Sequence, residues 1–234
     1  MQERTALLIG EAGAARLAAS RVAVVGLGGV GGHCAEALAR AGIGALHLVD
    51  ADTVSESDLN RQAVATFATL GLSKPAAMAL RLRSLSRCML TLSTAFVGPD
   101  TVEAALPGAF DYVVDAIDTL SGKLALVELC GARGVPLLSC MGAGNRLDAS
   151  RFCVRDRCGE ETGVRDIYAT AGCPLARRMR SELRKRGVAA LPVVCSDEPP
   201  RPVPGGTIGS LAPVTAAAGL VVADHVILSL LGLR

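Results

Sequence analysis

The sequence predicts an α/β protein built on a doubly wound, mostly parallel sheet. Short apolar runs with strand composition alternate with alanine-rich helical segments as far as residue 141, which is the pattern of parallel βαβ units. A glycine-rich turn over residues 26–31 joins the first run to the first helix. Half of the residues are hydrophobic and 3% are aromatic, a composition that suits layered helices and strands. Together these features predict a Rossmann-like fold with a C-terminal extension.

Strands and helices are predicted in strict alternation. The strands cover 21–26, 45–50, 89–96, 112–118 and 135–141. The helices cover the segment from the glycine turn to residue 41, then 75–86, 99–106 and 122–133. Ser73 suits an N-cap and Pro75 suits the first turn of the second helix. Because the carboxyl ends of parallel strands meet at one edge of the sheet, a ligand is expected at that edge.

The last third of the chain has a weaker pattern. An edge strand over 151–156, a basic helix over 174–187 and a loop over 197–206 are expected there. We therefore divide the chain into a core over 1–144 and a C-terminal extension over 145–234, packed on the same domain.

The final segment, residues 211–234, is apolar enough to be weighed as a membrane span. Asp224 and His225 interrupt it, and a charge in mid-span is costly. A buried core or dimer helix is therefore favoured, and contact with a membrane surface stays open.

Charge and cysteine content suggest the setting of the protein. The formal net charge of +2 does not by itself predict nucleic-acid binding. There are eight cysteines but no Cys-x-x-Cys pair, so a zinc site is disfavoured. The N-terminal residues lack the pattern of a secretion signal, and we expect a reducing, cytoplasmic setting.

The glycine turn predicts a phosphate-binding site. Gly26, Gly28, Gly29 and Gly31 let the backbone approach a phosphate closely, and the following helix offers N–H donors. Asp50 closes the second strand, where a carboxylate can hold ribose hydroxyls. These residues predict an adenine nucleotide but do not distinguish NAD from ATP.

The residues that follow favour ATP. Asp52, Asn60 and Arg61 come directly after Asp50, and Lys74 begins the next helix. Asp118 ends a further strand, whereas Asp115 reads as a structural carboxylate. Nucleotidyl transfer needs cations to offset developing charge and a carboxylate to hold Mg²⁺ on the leaving pyrophosphate. Hydride transfer needs neither.

The motifs "GLGGVG", "LVDADTVSESDLNRQ", "GLSK" and "VVDAIDT" resemble the E1-like activating enzymes of the ThiF/MoeB superfamily over residues 4–144. The resemblance implies ATP-dependent adenylation of a carboxylate by a homodimer. It implies ATP binding by Gly29 and Asp50, with Asp50 at the ribose, and phosphate contacts from Arg61 and Lys74. It also implies Mg²⁺ binding by Asp118 beside Thr119, a nucleotide site lined by Ser57 through Arg61, and an Arg4 that reaches the partner subunit's ATP. Asp58 departs from the family, in which asparagine is common.

The C-terminal third resembles a narrower branch, the tRNA threonylcarbamoyladenosine dehydratases. The matching pieces are "GAGNRLD", "DIYATAGCPLARRMRSELRKRGV", "VVCSDEPP" and "GTIGSLAPVTAAAGLVVADHVI", with 155–164 as a small insertion. The branch implies that the threonyl carboxylate on adenosine 37 of certain tRNAs is adenylated. The neighbouring carbamoyl group then closes a ring and expels AMP, so that water is lost overall.

A basic run in the extension is the candidate tRNA contact. Arginines suit phosphate geometry, and residues 177, 180 and 184 share a helical face. Tyr168 is the predicted base-stacking partner. Cys173 and Cys195 are weighed as nucleophiles, although ring closure requires no enzyme thioester. The predicted RNA contacts are Arg177, Arg178, Arg180, Arg184 and Tyr168.

Three alternatives remain open. An activator of a sulfur-carrier protein fits the ATP motifs, but the zinc-binding cysteine pairs of many such enzymes are missing. A non-catalytic nucleotide-binding scaffold and an NAD-dependent oxidoreductase are the other two. The need for a sulfur-relay or other accessory protein stays open as well.

Overall fold

Seven strands form a single sheet in the computed structural model, which describes residues 3–152 and 165–234. The strands are β1 Arg21–Val25, β2 Ala45–Val49, β3 Met89–Ser93, β4 Tyr112–Asp115, β5 Leu137–Cys140, β6 Arg165–Asp166 and β7 Pro192–Val194. The α-helices are α1 Glu3–Ala19, α2 Gly31–Ala41, α3 Lys74–Arg83, α4 Val102–Ala105, α5 Leu120–Arg133, α6 Pro174–Lys185 and α7 Ala212–Leu231. Single 3₁₀ turns cover Glu56–Asp58, Ala149–Phe152, Ile167–Ala169 and Pro204–Gly206.

The strand order is β3-β2-β1-β4-β5-β7-β6. All neighbouring pairs are parallel except β6 with β7 at the edge. The doubly wound, mostly parallel sheet predicted from the sequence is therefore confirmed. The chain reverses its direction of travel across the sheet between β1 and β4, where Val25 is in register with both Val49 and Asp115. Such a reversal opens a crevice beyond the carboxyl ends of the strands.

The sheet separates two hydrophobic cores. Val22 and Val24 of β1 face a core shared with α1, α2 and α7, whereas Ala23 and Val25 face a core shared with α5 and α6. This alternation is the side-chain period of a strand buried on both faces.

Helix α7 covers one face of the sheet and packs mainly against α2. A Cβ atom on Gly219 would lie 2.4 Å from the carbonyl oxygen of Val30, so the two helices approach closely because this residue has no side chain. Among the described residues α7 is the one helix long and apolar enough to cross a membrane, with a mean hydropathy of 2.0. Val214, Ala218 and Val222 are nevertheless fully buried against the core, as expected for a core helix.

The predicted edge strand over 151–156 is wrong at its first two residues. Arg151 and Phe152 belong to the 3₁₀ turn Ala149–Phe152, and Phe152 is fully buried in the core shared with α7. Residues 153–156, like the predicted insertion over 155–164, lie outside the described residues. The antiparallel edge strand is β6. Helix α1 and strand β7 were not predicted.

Candidate active site

A cleft of about 360 Å³ lies beyond the carboxyl ends of β1, β2 and β4. Its volume is within the range of small-molecule sites. The sequence motifs meet there although they are separated by up to 91 residues of chain, from Gly28 to Thr119. The predicted residues that line the cleft are Gly28, Gly29, Asp50, Asp52, Asp58, Arg61, Lys74, Asp118 and Thr119.

Two of the predicted glycines shape the turn rather than line the cleft. Gly26 has a φ of 90°, and a Cβ atom there would lie 2.8 Å from the backbone of Ala116, the residue that follows β4. A Cβ atom on Gly31 would lie 1.7 Å from the carbonyl oxygen of Gly26. Both positions therefore require glycine so that the turn can fold against the strand and α2.

Asp50 is held by two backbone N–H groups, one for each of its carboxylate oxygens. Its Oδ2 atom accepts a hydrogen bond from the Leu27 N–H at 2.6 Å, and its Oδ1 atom accepts one from the Asp52 N–H at 2.8 Å. Burial raises the pKa of this carboxyl above its ordinary value, and the two backbone donors oppose that shift. The carboxylate is thus fixed beside the glycine turn.

Lys74 brings a buried positive charge to the cleft. Its side chain is 7% exposed, and its Nζ atom lies 2.8 Å from Oδ2 of Asp52, which is 70% exposed. The backbone N–H of Lys74 also donates to the carbonyl oxygen of Asp52 at 2.9 Å. Ser73 is the N-cap of α3 and Pro75 is in its first turn, as predicted.

Arg61 is oriented by the residues just before it. Its Nη1 atom donates to the Ser57 carbonyl oxygen at 2.8 Å and to Oδ1 of Asn60 at 2.9 Å. Ser57 and Asn60 do not themselves line the cleft. Asn60 also donates from Nδ2 to the carbonyl oxygen of Ser210, which ties this loop to the C-terminal extension.

Asp58, the departure from the family pattern, is the centre of this loop. Its Oδ2 atom accepts from both the N–H and the hydroxyl of Ser55, each at 3.0 Å. Its Oδ1 atom accepts from Nε2 of Gln62 at 2.6 Å and lies 3.8 Å from Nη2 of Arg61. An acidic residue here therefore shapes the loop and partly neutralises Arg61.

Gln62 is a cleft residue that the sequence did not single out. It is 7% exposed, and its Oε1 atom is buried without a hydrogen-bond partner among the described residues. A buried acceptor in that state is costly unless something donates to it. The one sequence feature that could have identified Gln62 as a cleft residue is its position directly after Arg61.

Asp115 and Asp118 have different roles. Asp115 and Lys123 are both fully buried, with Lys123 Nζ 3.1 and 3.0 Å from the two carboxylate oxygens. Lys123 also donates to the Cys140 carbonyl oxygen at 2.7 Å. Asp118 is exposed, lines the cleft and has no partner among the described residues. The structural reading of Asp115 is confirmed.

Apolar groups complete the cleft, and two residues come from segments that carried no nucleotide motif. Phe96, at the mouth, is 59% exposed. Thr215, from α7, lies against the glycine turn, since a Cβ atom on Gly29 would be 2.8 Å from its Oγ1 atom. The apolar lining consists of Val25, Val30, Val49, Ala51, Ala95, Phe96, Val97, Ala116 and Ile117.

Several predicted residues lie elsewhere. Arg4 is exposed on α1 and does not line the cleft of its own chain. Arg177 and Arg178 are exposed on α6, whereas Arg180 donates from Nη1 to the Thr170 carbonyl oxygen at 3.0 Å.

Tyr168 contacts the same helix. Its hydroxyl donates to the Val188 carbonyl oxygen at 2.6 Å, and the guanidinium of Arg184 lies 5.2 Å from the centre of its ring. One face of the ring is therefore already covered by a cation.

Comparison with known proteins gives consistent matches over nearly the whole chain. A sequence model of the ThiF family matches residues 2–234. The chain is 36% identical to the tRNA threonylcarbamoyladenosine dehydratase of Bacillus subtilis, covering 97% of this chain and 93% of that one. It is 38% identical to the Escherichia coli protein of the same name, with 77% of this chain and 64% of that one aligned.

Solved structures agree. The crystal structure of E. coli tRNA N6-threonylcarbamoyladenosine dehydratase in complex with AMP superposes with a TM-score of 0.89 at 33% identity, covering 98% of this chain and 93% of that one. The structure of the same protein in complex with ATP gives a TM-score of 0.87 at 34% identity, with the same coverage.

Proposed function

This chain belongs to the ThiF family, and from that premise we propose that it is an ATP-dependent tRNA threonylcarbamoyladenosine dehydratase. It adenylates the carboxylate of N6-threonylcarbamoyladenosine in tRNA and cyclises the product with net loss of water. The similarity to dehydratases over the full chain supports the substrate, and the ATP complex of a close structural neighbour supports the nucleotide.

One observation carries the chemistry: a single cleft brings together two cations and a free carboxylate around the glycine turn. Arg61, Lys74 and Asp118 all line it. Adenylation transfers a nucleotidyl group and releases pyrophosphate, so negative charge must be balanced on both the attacked and the leaving phosphates. We assign Arg61 and Lys74 to those phosphates.

The remaining residues of the cleft fit the rest of ATP. Asp50 has two carboxylate oxygens fixed by backbone donors, and we assign it to the ribose hydroxyls. Gly28 and Gly29 leave the phosphates room to approach the backbone and the N-terminus of α2. The apolar wall, with Phe96 at its edge, suits an adenine ring.

Mg²⁺ also fits these residues. Asp118 offers an exposed carboxylate in the cleft, and Thr119 lies beside it. Carboxylate oxygens are the protein ligands that Mg²⁺ prefers. When bound there, the ion would offset the charge of the departing pyrophosphate.

The protein's own contribution to the second step is position. The carboxylate and the carbamoyl group belong to the same side chain of the nucleoside, so ring closure is intramolecular once the acyl-adenylate exists. We therefore assign no nucleophile to the enzyme. Neither Cys173 nor Cys195 lines the cleft, in keeping with that assignment.

The tRNA is proposed to approach along the carboxyl edge of the sheet. The N-terminus of α6 lies at that edge, since Cys173 Sγ would be 3.6 Å from a Cβ atom on Gly142, just beyond β5. Exposed Arg177, Arg178 and Arg184 on α6 are the proposed phosphate contacts, and of these Arg184 also lies over the Tyr168 ring. Arg180 and Tyr168, which are engaged within the chain, stay predictions as RNA contacts.

We further propose a homodimer in which Arg4 reaches the partner subunit's ATP, and a cytoplasmic site of action. The core over 1–144 would bind ATP and the extension over 145–234 would receive the tRNA. Requirement for an accessory protein is left to experiment.

The test incubates the purified protein with ATP, Mg²⁺ and tRNA that carries threonylcarbamoyladenosine, then weighs the nucleosides after gentle digestion. We expect that nucleoside to lose one water, dependent on ATP and abolished by Asp118→Ala. Asp100→Ala, an exposed carboxylate outside the cleft, is the matched control and should keep full activity.

Two other results would change the assignment. If the nucleoside is unchanged while ATP–pyrophosphate exchange appears with another carboxylate, such as the C-terminus of a sulfur-carrier protein, the substrate is wrong but the adenylation chemistry stands. If ATP binds without exchange on any carboxylate, the protein is a nucleotide-binding scaffold.

A further inference from the structure

Cys173 and Cys195 form a contact that the nucleotide chemistry does not use. Cys173 is the N-cap of α6 and Cys195 directly follows β7, so 21 residues of chain separate them. Their exposed fractions are 3% and 4%. Both side chains belong to the same buried core, and each sulfur lies close enough to shift the pKa of the other. Cys173 Sγ is 3.6 Å from the position of a Cβ atom on Gly142, and the carbonyl oxygen of Val194, the residue before Cys195, accepts from the Met141 N–H at 2.8 Å. The Cys195 thiol itself donates to the Ser196 carbonyl oxygen at 3.5 Å.

Cys173 is placed to be the thiolate of the pair. Its sulfur lies at the positive end of a 12-residue helix, beside the backbone N–H groups of Ala176 and Gly142. The adjacent Cys195 thiol and these N–H groups lower the pKa of Cys173 to about 5, whereas burial raises that of Cys130 to about 11 and that of Cys140 to about 12. The same contact raises the pKa of Cys195.

A buried guanidinium supplies an independent sign of an anion at this place. Arg146 is 2% exposed, and its Nε atom donates to the Gly142 carbonyl oxygen at 3.0 Å. Its Nη1 atom is buried with no hydrogen-bond partner among the described residues. The positive charge of Arg146 lowers the pKa of both Cys173 and Cys195. It also lowers the pKa of the nearby Glu198 carboxyl.

The pair lies just beneath the surface. Ala171 and Gly172, which precede Cys173, are exposed, as is Asp197, two residues after Cys195. A small oxidant therefore has a short path to the sulfurs. The described residues include no group of three metal-ligating side chains that could hold an ion beside the pair.

We propose that Cys173 and Cys195 are a peroxide-sensitive dithiol that closes to a reversible disulfide. The Cys173 thiolate attacks one oxygen of hydrogen peroxide, the O–O bond breaks, and a sulfenic acid forms as hydroxide leaves and is protonated to water. The Cys195 sulfur then attacks the Cys173 sulfur, and the S–O bond breaks. The Cys195 proton leaves with that hydroxyl as a second water, so the two thiols lose two electrons and the peroxide gains them.

The experiment oxidises the reduced full-length protein with hydrogen peroxide, blocks the remaining thiols and maps the peptides by mass. We expect one cross-link, between Cys173 and Cys195, that a dithiol reductant reverses. Because this uses the unaltered chain, its result does not depend on how any variant folds, nor on the activity proposed above.

Serine variants test the order of the two steps. In Cys195→Ser the sulfenic acid on Cys173 has no resolving thiol, and its trapping by dimedone should rise about tenfold over the unaltered protein. Cys173→Ser should abolish both trapping and cross-link, and Cys130→Ser should change neither. Glutathione in a parallel sample shows that the peroxide is active. The proposal is overturned if both thiols remain free at a peroxide concentration that oxidises glutathione. It is also overturned if either cysteine forms its cross-link with Cys153 or Cys158.

Discussion

The Nζ atom of Lys74 lies 2.8 Å from Oδ2 of Asp52 at the nucleotide cleft. The lysine is almost completely buried while the aspartate is largely exposed, so the pair holds a cation inside the cleft and leaves its counter-ion facing water. An exposed carboxylate is easily displaced by a phosphate, because solvent screens its attraction for the lysine. Lys74 is therefore available to ATP without being left unpaired before ATP arrives.

Replacing Lys74 with methionine should remove most of the activity while keeping the fold. The side chain keeps a similar length, but the charge that offsets the phosphates is lost, and we expect kcat/KM for ATP to fall about 100-fold. Lys185→Met, an exposed lysine on α6, is the control for ATP binding. Equal ATP affinity in the two variants would show that Lys74 does not contact the nucleotide.

Asp58→Asn should increase the affinity for ATP. The change removes a negative charge 3.8 Å from Nη2 of Arg61, which leaves more of the arginine's charge for phosphate, and we expect KM for ATP to fall about threefold. The new amide oxygen can still accept from Ser55, and Gln62 can rotate so that its Oε1 atom accepts from the new N–H group. The urea concentration at the midpoint of unfolding should therefore change little. A KM for ATP higher than that of the unaltered protein would contradict the idea that Asp58 partly neutralises Arg61.

The alternation of strands and helices could be predicted because each element carries its own signal. Val22 and Val24 in the first apolar run, and Gly42 after the first helix, mark their boundaries within a few residues of chain. Strand β7 has three residues, and its pairing with β5 is decided by distant contacts. Helix α1 has only one buried residue, Leu17, and thus lacks an apolar stripe that would mark it.

The site residues that belong to sequence motifs could be predicted, whereas those that reach the cleft through tertiary packing could not. Asp50, Lys74 and Asp118 follow strands or begin a helix, and topology brings such positions to one edge. Thr215 reaches the cleft only because α7 packs on α2, which no local pattern in the sequence indicates. Phe96 could not be predicted either, because nothing in the sequence shows that this exposed aromatic side chain lies beside the cleft.

Lys123→Met should destabilise the protein strongly. It would leave the Asp115 carboxylate fully buried without its cation, and we expect a loss of about 3 kcal/mol in the free energy of unfolding. Adding Asp115→Asn should restore most of that loss, because the buried charge is then removed as well. Chemical unfolding of the two variants measures both effects; a double variant as unstable as Lys123→Met would mean that packing of the lysine stem, rather than charge, is what matters.

The proposed reach of Arg4 into the partner subunit's cleft can be tested by mixing two inactive proteins. Arg4 is exposed on α1 and absent from its own cleft, whereas Asp118 lines that cleft. If Arg4 acts across a dimer, a mixed dimer of Arg4→Ala and Asp118→Ala chains contains one site in which both residues are intact. Random exchange of subunits should then restore about a quarter of the unaltered activity, since half of the dimers are mixed and each mixed dimer has one working site of two.

The control for this experiment replaces Arg4→Ala with Arg16→Ala, a change on the same helix, and that variant should be active before mixing. Recovery that stays at the level of the separate variants, under conditions where subunit exchange is demonstrated by mass, would show that Arg4 serves no site but that of its own chain.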